Sequence, residues 1–103
     1  MTDGTGGLSG KIAIVTGAGT GVGRATALAL AGEGVSTVLV GRRRDRLEET
    51  AALVAAGRGT ALVTPADVAD EIAVADVVAR AVAQFGGIDV LINAAAVGLY
   101  GPV

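Results

Sequence analysis

The chain has 103 residues, 51% of them hydrophobic and 17% charged, with a formal net charge of −2. This composition fits one folded domain, not a disordered segment, and gives no reason to expect nucleic acid or an acidic membrane as partner. Cysteine and histidine are both absent, which excludes disulfides, thiol chemistry and Ser-His or Cys-His nucleophile pairs. A metal site would have only carboxylates to draw on, a poor ligand set for zinc.

Residues 1–10 (MTDGTGGLSG) have no basic-then-apolar export pattern and read as a flexible lead-in to a domain over residues 11–103. No apolar run reaches the roughly 20 residues needed to span a membrane, so a cytoplasmic protein is the expectation. Residues 11–16 (KIAIVT) form the first predicted strand. A helix over 22–32, nearly all alanine and leucine, follows and stops at Gly32 and Gly34, which suit a left-handed cap. The second strand covers 37–40 (TVLV). The next helix covers 44–56, with Leu47, Ala51 and Val54 on one face and a stop at Gly57. The third strand covers 60–64 (TALVT). The third helix covers 70–85, with Asp70 as N-cap, Ile72, Ala75, Ala79 and Val82 as its apolar face, and a stop at Gly86-Gly87. Residues 88–93 (IDVLIN) are the fourth strand.

The four strands are rich in Val, Ile and Leu and do not alternate with polar residues, which marks strands buried on both faces. Three strand-helix units and a closing strand, joined by right-handed crossovers, predict an α/β fold, half of a doubly wound parallel sheet. A strand order of 3-2-1-4 puts the ligand crest between the first and fourth strands.

Gly17, Gly19, Gly21 and Gly23 stand at alternate positions where the first strand meets the first helix. Glycine tolerates positive φ and lets an external group approach the backbone, and a helix N-terminus favours a phosphate there. A tight turn with close helix–strand packing needs one or two glycines; four point to phosphate binding. GxxxxGK[ST] is absent, because no lysine follows these glycines, and GxGxxG fails because Val22 or Arg24 stands where its third glycine belongs. The pattern that fits is TGxxxGxG, from Thr16, Gly17, Gly21 and Gly23.

That pattern resembles the short-chain dehydrogenase/reductase family, and the resemblance extends over about residues 11–103. It implies a Rossmann-type, nicotinamide-cofactor-binding fold, with Thr16, Gly17, Gly19, Thr20, Gly21, Val22 and Gly23 around the pyrophosphate. It implies that Asp67, in "TPADVAD", accepts from the adenine amino group while the Val68 backbone touches the ring; alone, Asp67 would read as a loop or helix-cap carboxylate. The family's Asn-Asn-Ala-Gly segment is matched by "INAAAVG". Asn93 matches its first Asn and is expected to tie the sheet together and line the cofactor ribose, with Ala94 and Ala95 beside it. Ala94 replaces the second Asn and Ala96 replaces the Gly.

The second strand ends at Gly41, followed by Arg42, Arg43 and Arg44. An acidic residue there would bind a ribose 2′-hydroxyl; guanidinium groups suit a 2′-phosphate. Arginines near a helix N-terminus also oppose the helix dipole unless an anion compensates, and Asp45 offsets only part of this. Arg42 and Arg43 are therefore assigned to the phosphate of NADP (NADPH). Arg44, which can pair with Glu48, and Arg46 are assigned to the surface.

In the family, a Tyr with a Lys four residues on, and a Ser, handle the proton and polarise the substrate oxygen. Here the single tyrosine, Tyr100, has no lysine after it, and the single lysine is Lys11. The serines, Ser9 and Ser36, precede the first and second strands. No catalytic residue is assigned. The chain resembles the cofactor-binding part of an NADP(H)-dependent oxidoreductase of carbonyl or alcohol substrates, cut before its active site, and is expected to be inactive by itself. Three further strands would be missing, leaving the fourth strand as an apolar edge and one sheet face covered by a single helix. A complete family member would be a homo-oligomer. Two other readings remain at this point: a complete, non-catalytic module that holds NADP or another adenine nucleotide, and an S-adenosylmethionine-dependent methyltransferase, whose first motif Gly17-x-Gly19-x-Gly21 also resembles. The methyltransferase class wants an acidic residue where Gly41-Arg42 stands.

Overall fold

A computed structural model of the chain describes residues 7–94. The elements run β1 (Ile12–Thr16), α1 (Gly21–Gly32), β2 (Ser36–Gly41), α2 (Arg44–Ala56), β3 (Thr60–Pro65), α3 (Glu71–Phe85) and β4 (Val90–Asn93). All strand pairs are parallel and the sheet order is β3-β2-β1-β4, the order expected from the strand-helix rhythm. β1 and β2 are central and buried, as their unbroken apolar runs require. β3 and β4 form the two edges.

The sheet separates two apolar layers. On one face Val15, Ala18 and Leu39 pack with Ala27 of α1 and Leu47 of α2. On the other, Ile14, Val38 and Val40 pack with Val77 and Ala81 of α3. Alternate residues of β1 and β2 therefore feed opposite layers, as the two-residue period of a strand dictates. Leu47 is fully buried, and truncating such a leucine to alanine costs about 2–5 kcal/mol.

The helix ends follow local chemistry. Asp70 caps α3 as expected, its carboxylate accepting from the N–H groups of Ile72 (3.0 Å) and Ala73 (3.3 Å). Gly86 closes the same helix in the left-handed region. At the end of α1 the left-handed residue is Gly34. At the end of α2 it is Arg58, with φ 67°, while Gly57 keeps a negative φ.

Three other expectations change. The apolar face predicted for α3 is not the one that meets the sheet: Ile72, Ala75, Ala79 and Val82 are exposed, and Val77 and Ala81 are buried instead. Val and Ala run most of the way round this helix, so helical spacing alone permits several faces. β4 is shorter than residues 88–93 because Asp89 bonds Ile12 twice. The Asp89 N–H donates to the Ile12 carbonyl (2.8 Å), and its carboxylate accepts from the Ile12 N–H (2.9 Å). Finally, residues 7–10, expected within the flexible lead-in, form a turn docked on the α1–β2 loop, where the Gly10 N–H donates to the Gly34 carbonyl at 3.0 Å.

Candidate cofactor site

β1 is followed on its two sides by β2 and β4, with α1 and α2 on one face of the sheet and α3 on the other. The crossover reverses at β1, so a crevice opens beyond the carboxyl ends of β1 and β4. Thr16 and Asn93 are register partners there. The Thr16 hydroxyl donates to the Asn93 side-chain oxygen at 2.9 Å, so Asn93 does tie the first and fourth strands together.

The glycine-rich turn spans the gap from β1 to α1. Gly17 and Gly21 take φ of 63° and 58°, which a side chain rarely adopts. Gly23 faces the Gly17 carbonyl so closely that an added Cβ would lie 1.9 Å from its oxygen. Gly19 faces α2, where an added Cβ would lie 2.8 Å from the Arg46 Cβ. The chain's own geometry thus uses all four glycines, and their number alone does not demand a ligand. What suits an anion is the N-terminal start of α1. Thr20 occupies its N-cap without a side-chain hydrogen bond to the helix. The first-turn amides have no intrahelical acceptor.

A cleft of about 260 Å³ lies against this turn, lined by Gly17, Gly19, Thr20, Gly41, Arg42, Arg43, Arg46 and Leu47. The two arginines assigned from sequence are therefore beside the glycine-rich turn. Arg46, assigned to the surface, lines the same cleft. Its position in the first turn of α2 gave no signal in a sequence where four of five residues from Arg42 are arginine. Arg44 pairs with Glu48 at 3.7 Å, as its four-residue spacing suggests.

The other cations have light partners. The Arg42 guanidinium is 3.9 Å from the Asp67 carboxylate and mostly exposed. Arg43 donates to Asp45 at 3.0 Å, and this hydrogen bond holds the Asp45 carboxyl below the ordinary carboxylate range. Asp67 also accepts from the Ala69 N–H at 2.9 Å, the loop-capping role that an isolated aspartate there would have. Val68 and Asn93 do not line the arginine cleft. With Thr16, Ile14, Val74 and Leu91 they line a second, largely apolar cleft of about 350 Å³ on the α3 side. Val22 is exposed and Ala94 is buried; Ala95 and Tyr100 lie outside the described residues.

The residues present fit a nicotinamide dinucleotide: open backbone at a helix N-terminus for a pyrophosphate, and cationic side chains at the end of β2. Among the described residues, no helix is long and apolar enough to cross a membrane.

Comparison with known proteins agrees with this geometry. The family profile described as short chain dehydrogenase matches residues 11–103. An uncharacterized oxidoreductase of Staphylococcus aureus is 42% identical over 88 residues, covering 85% of this chain and 37% of the relative. The crystal structure of a hydroxysteroid dehydrogenase from Escherichia coli superimposes with a TM-score of 0.82 at 30% identity, over 84% of this chain and 37% of that one. An NAD+-bound xylitol dehydrogenase does so with a TM-score of 0.78 at 42% identity, over 82% of this chain and 32% of that one. The chain thus spans about a third of the length of these relatives. Its glycine-rich turn, its parallel sheet and these matches together make it a member of the short-chain dehydrogenase family.

Proposed function

We propose that this chain is the cofactor-binding portion of an NADP(H)-dependent oxidoreductase that moves hydride between the nicotinamide and a small carbonyl or alcohol substrate. The observation that carries the cofactor choice is the end of β2. It closes on Gly41, with no carboxylate in the place where one would bind a ribose 2′-hydroxyl, and Arg42 and Arg43 follow into the cleft beside the turn. A guanidinium offers paired donors to a phosphate, and such charge-assisted bonds are the strong ones.

In this reading the amides at the start of α1 hold the pyrophosphate, Arg42 and Arg43 hold the 2′-phosphate, Asp67 and Val68 border the adenine, and Asn93 with Ala94 and Ala95 borders the nicotinamide-side ribose. The bound cofactor supplies or takes up the hydride. The chain's own residues orient it along the carboxyl ends of the strands. Lys11 immediately precedes β1, at the opposite end of the sheet from the cleft, so it is not placed to handle a proton there. The Ser, Tyr and Lys that do so are assigned to the further length that relatives possess. The chain has no cysteine, so nothing ties it to an oxidising compartment, and a cytoplasmic location goes with this reading.

The test is titration of the full-length protein with NADPH and with NADH, followed by nicotinamide fluorescence. NADPH should bind at least about ten-fold more tightly, and the double variant Arg42→Ala/Arg43→Ala should erase most of that margin, as expected when charged hydrogen bonds are lost. Equal binding of the two cofactors by the parent protein contradicts the assignment. Consumption of NADPH with added carbonyl compounds tests the enzyme reading separately.

A further inference from the structure

We propose that Arg24 and Thr50 are positioning residues for the cofactor: together they set the gap between the glycine-rich turn and the arginines at the end of β2. The inference rests on the NADP reading above and concerns residues that touch no cofactor themselves.

Thr50 is fully buried in the middle of α2. A threonine there ordinarily bonds back to the carbonyl one turn earlier, and that carbonyl, of Arg46, is 3.3 Å away. Its shorter contact is outside the helix: the Ala18 carbonyl in the glycine-rich turn, at 2.8 Å. Arg24 of α1 reaches the same hydroxyl. Its Nε lies 2.9 Å from the Thr50 oxygen, and a guanidinium can only donate. The Thr50 oxygen therefore accepts from Arg24, and its one hydrogen is directed to the nearer acceptor, Ala18. The other arm of Arg24 donates to the Arg46 carbonyl at 3.2 Å and to the Glu49 carboxylate at 3.0 Å.

The preceding peptide is also held, because the Ala18 N–H donates to the Val40 carbonyl at 3.1 Å. The turn is thus fastened to β2 by one group and to α2 by the next, while Gly19 lies flush against Arg46. The segment that supplies Arg42 and Arg43 connects these same two elements. Any slippage of α2 against α1 would change the distance from the turn's amides to the guanidinium groups. A ligand with two anionic groups on one short frame gains from binding both at once only when that distance is fixed in advance. A ligand that lacks the second anion is less sensitive to it.

The experiment measures NADPH and NADH affinity on folded full-length protein carrying Thr50→Val, Thr50→Ser or Arg24→Met. Thr50→Val should weaken NADPH binding about ten-fold, in line with one lost buried hydrogen bond and its stranded carbonyl, and NADH binding less. The NADPH-to-NADH ratio should therefore fall at least about three-fold, and Thr50→Ser should restore it. Arg24→Met, a change at a partly exposed position, should lower the ratio in the same direction and serves if Thr50→Val does not fold. An unchanged ratio in the folded Val or Met variant, with both cofactors weakened alike, overturns the brace while leaving the cofactor reading intact. A parent protein without NADPH preference overturns the cofactor reading and this inference with it.

Discussion

Asp45 stands between two demands on Arg43. In the structure it holds that guanidinium at 3.0 Å, while the proposed role of Arg43 is to hold a phosphate. The pair is exposed, and exposed ion pairs contribute little. Because the hydrogen bond to Arg43 lowers the Asp45 pKa, its contribution to stability is present above the ordinary carboxylate pKa and fades as pH falls through the lowered value, below about pH 4. Near neutral pH the carboxylate competes with the ligand. Asp45→Asn should therefore raise the NADPH-to-NADH affinity ratio, about two- to five-fold for an exposed charge, and a titration of both cofactors at pH 7 checks it. Arg42 faces a milder version of the same competition from Asp67 at 3.9 Å. Gly23 shows the steric side of this scale: its missing Cβ makes room for the Gly17 carbonyl, and no rotamer change could relieve a clash with backbone.

Helices and strands were legible in the sequence wherever local chemistry named them. The apolar runs gave all four strands their existence, but burial on both faces holds only for β1 and β2; β3 and β4 carry the same pattern as sheet edges, and the central place of β1 and β2 came from the 3-2-1-4 order of the strand-helix rhythm. Asp70 announced α3 by residue type and position, and its two bonds to Ile72 and Ala73 follow. Asp70→Ala should cost about 1 kcal/mol of stability, read as a lower midpoint in urea unfolding with an unchanged slope. The face of α3 was not legible, because Val and Ala nearly encircle it and only tertiary packing chooses Val77 and Ala81. Nor was the site role of Arg46, which depends on how α2 leans on Gly19. The brace from Arg24 to Thr50 joins residues 26 apart in sequence, a relation that no local pattern encodes.

At the scale of the molecule the two sheet faces differ. α1 and α2 together cover one, whereas on the other the apolar side chains of Val74, Val78, Val82 and Leu91 stay at least partly exposed. β4, bearing Leu91, is also an edge of the described sheet. An apolar edge strand beside an apolar helix face is a site for further pairing. The 103-residue chain by itself is therefore expected to self-associate, and Leu91→Lys to reduce this, both measurable by sedimentation velocity. A stable monomer at high concentration would contradict the expectation. The relatives, with more than twice this length, have chain available to cover such a surface.

The double fastening of Ala18 gives one short loop two different tempos. Its buried amide, bonded to Val40, is shielded from solvent protons, whereas the helix-start amides only a few positions later have no partner within the helix. Deuterium uptake would therefore rise steeply across this bend, and an incoming anion would slow only the latter portion.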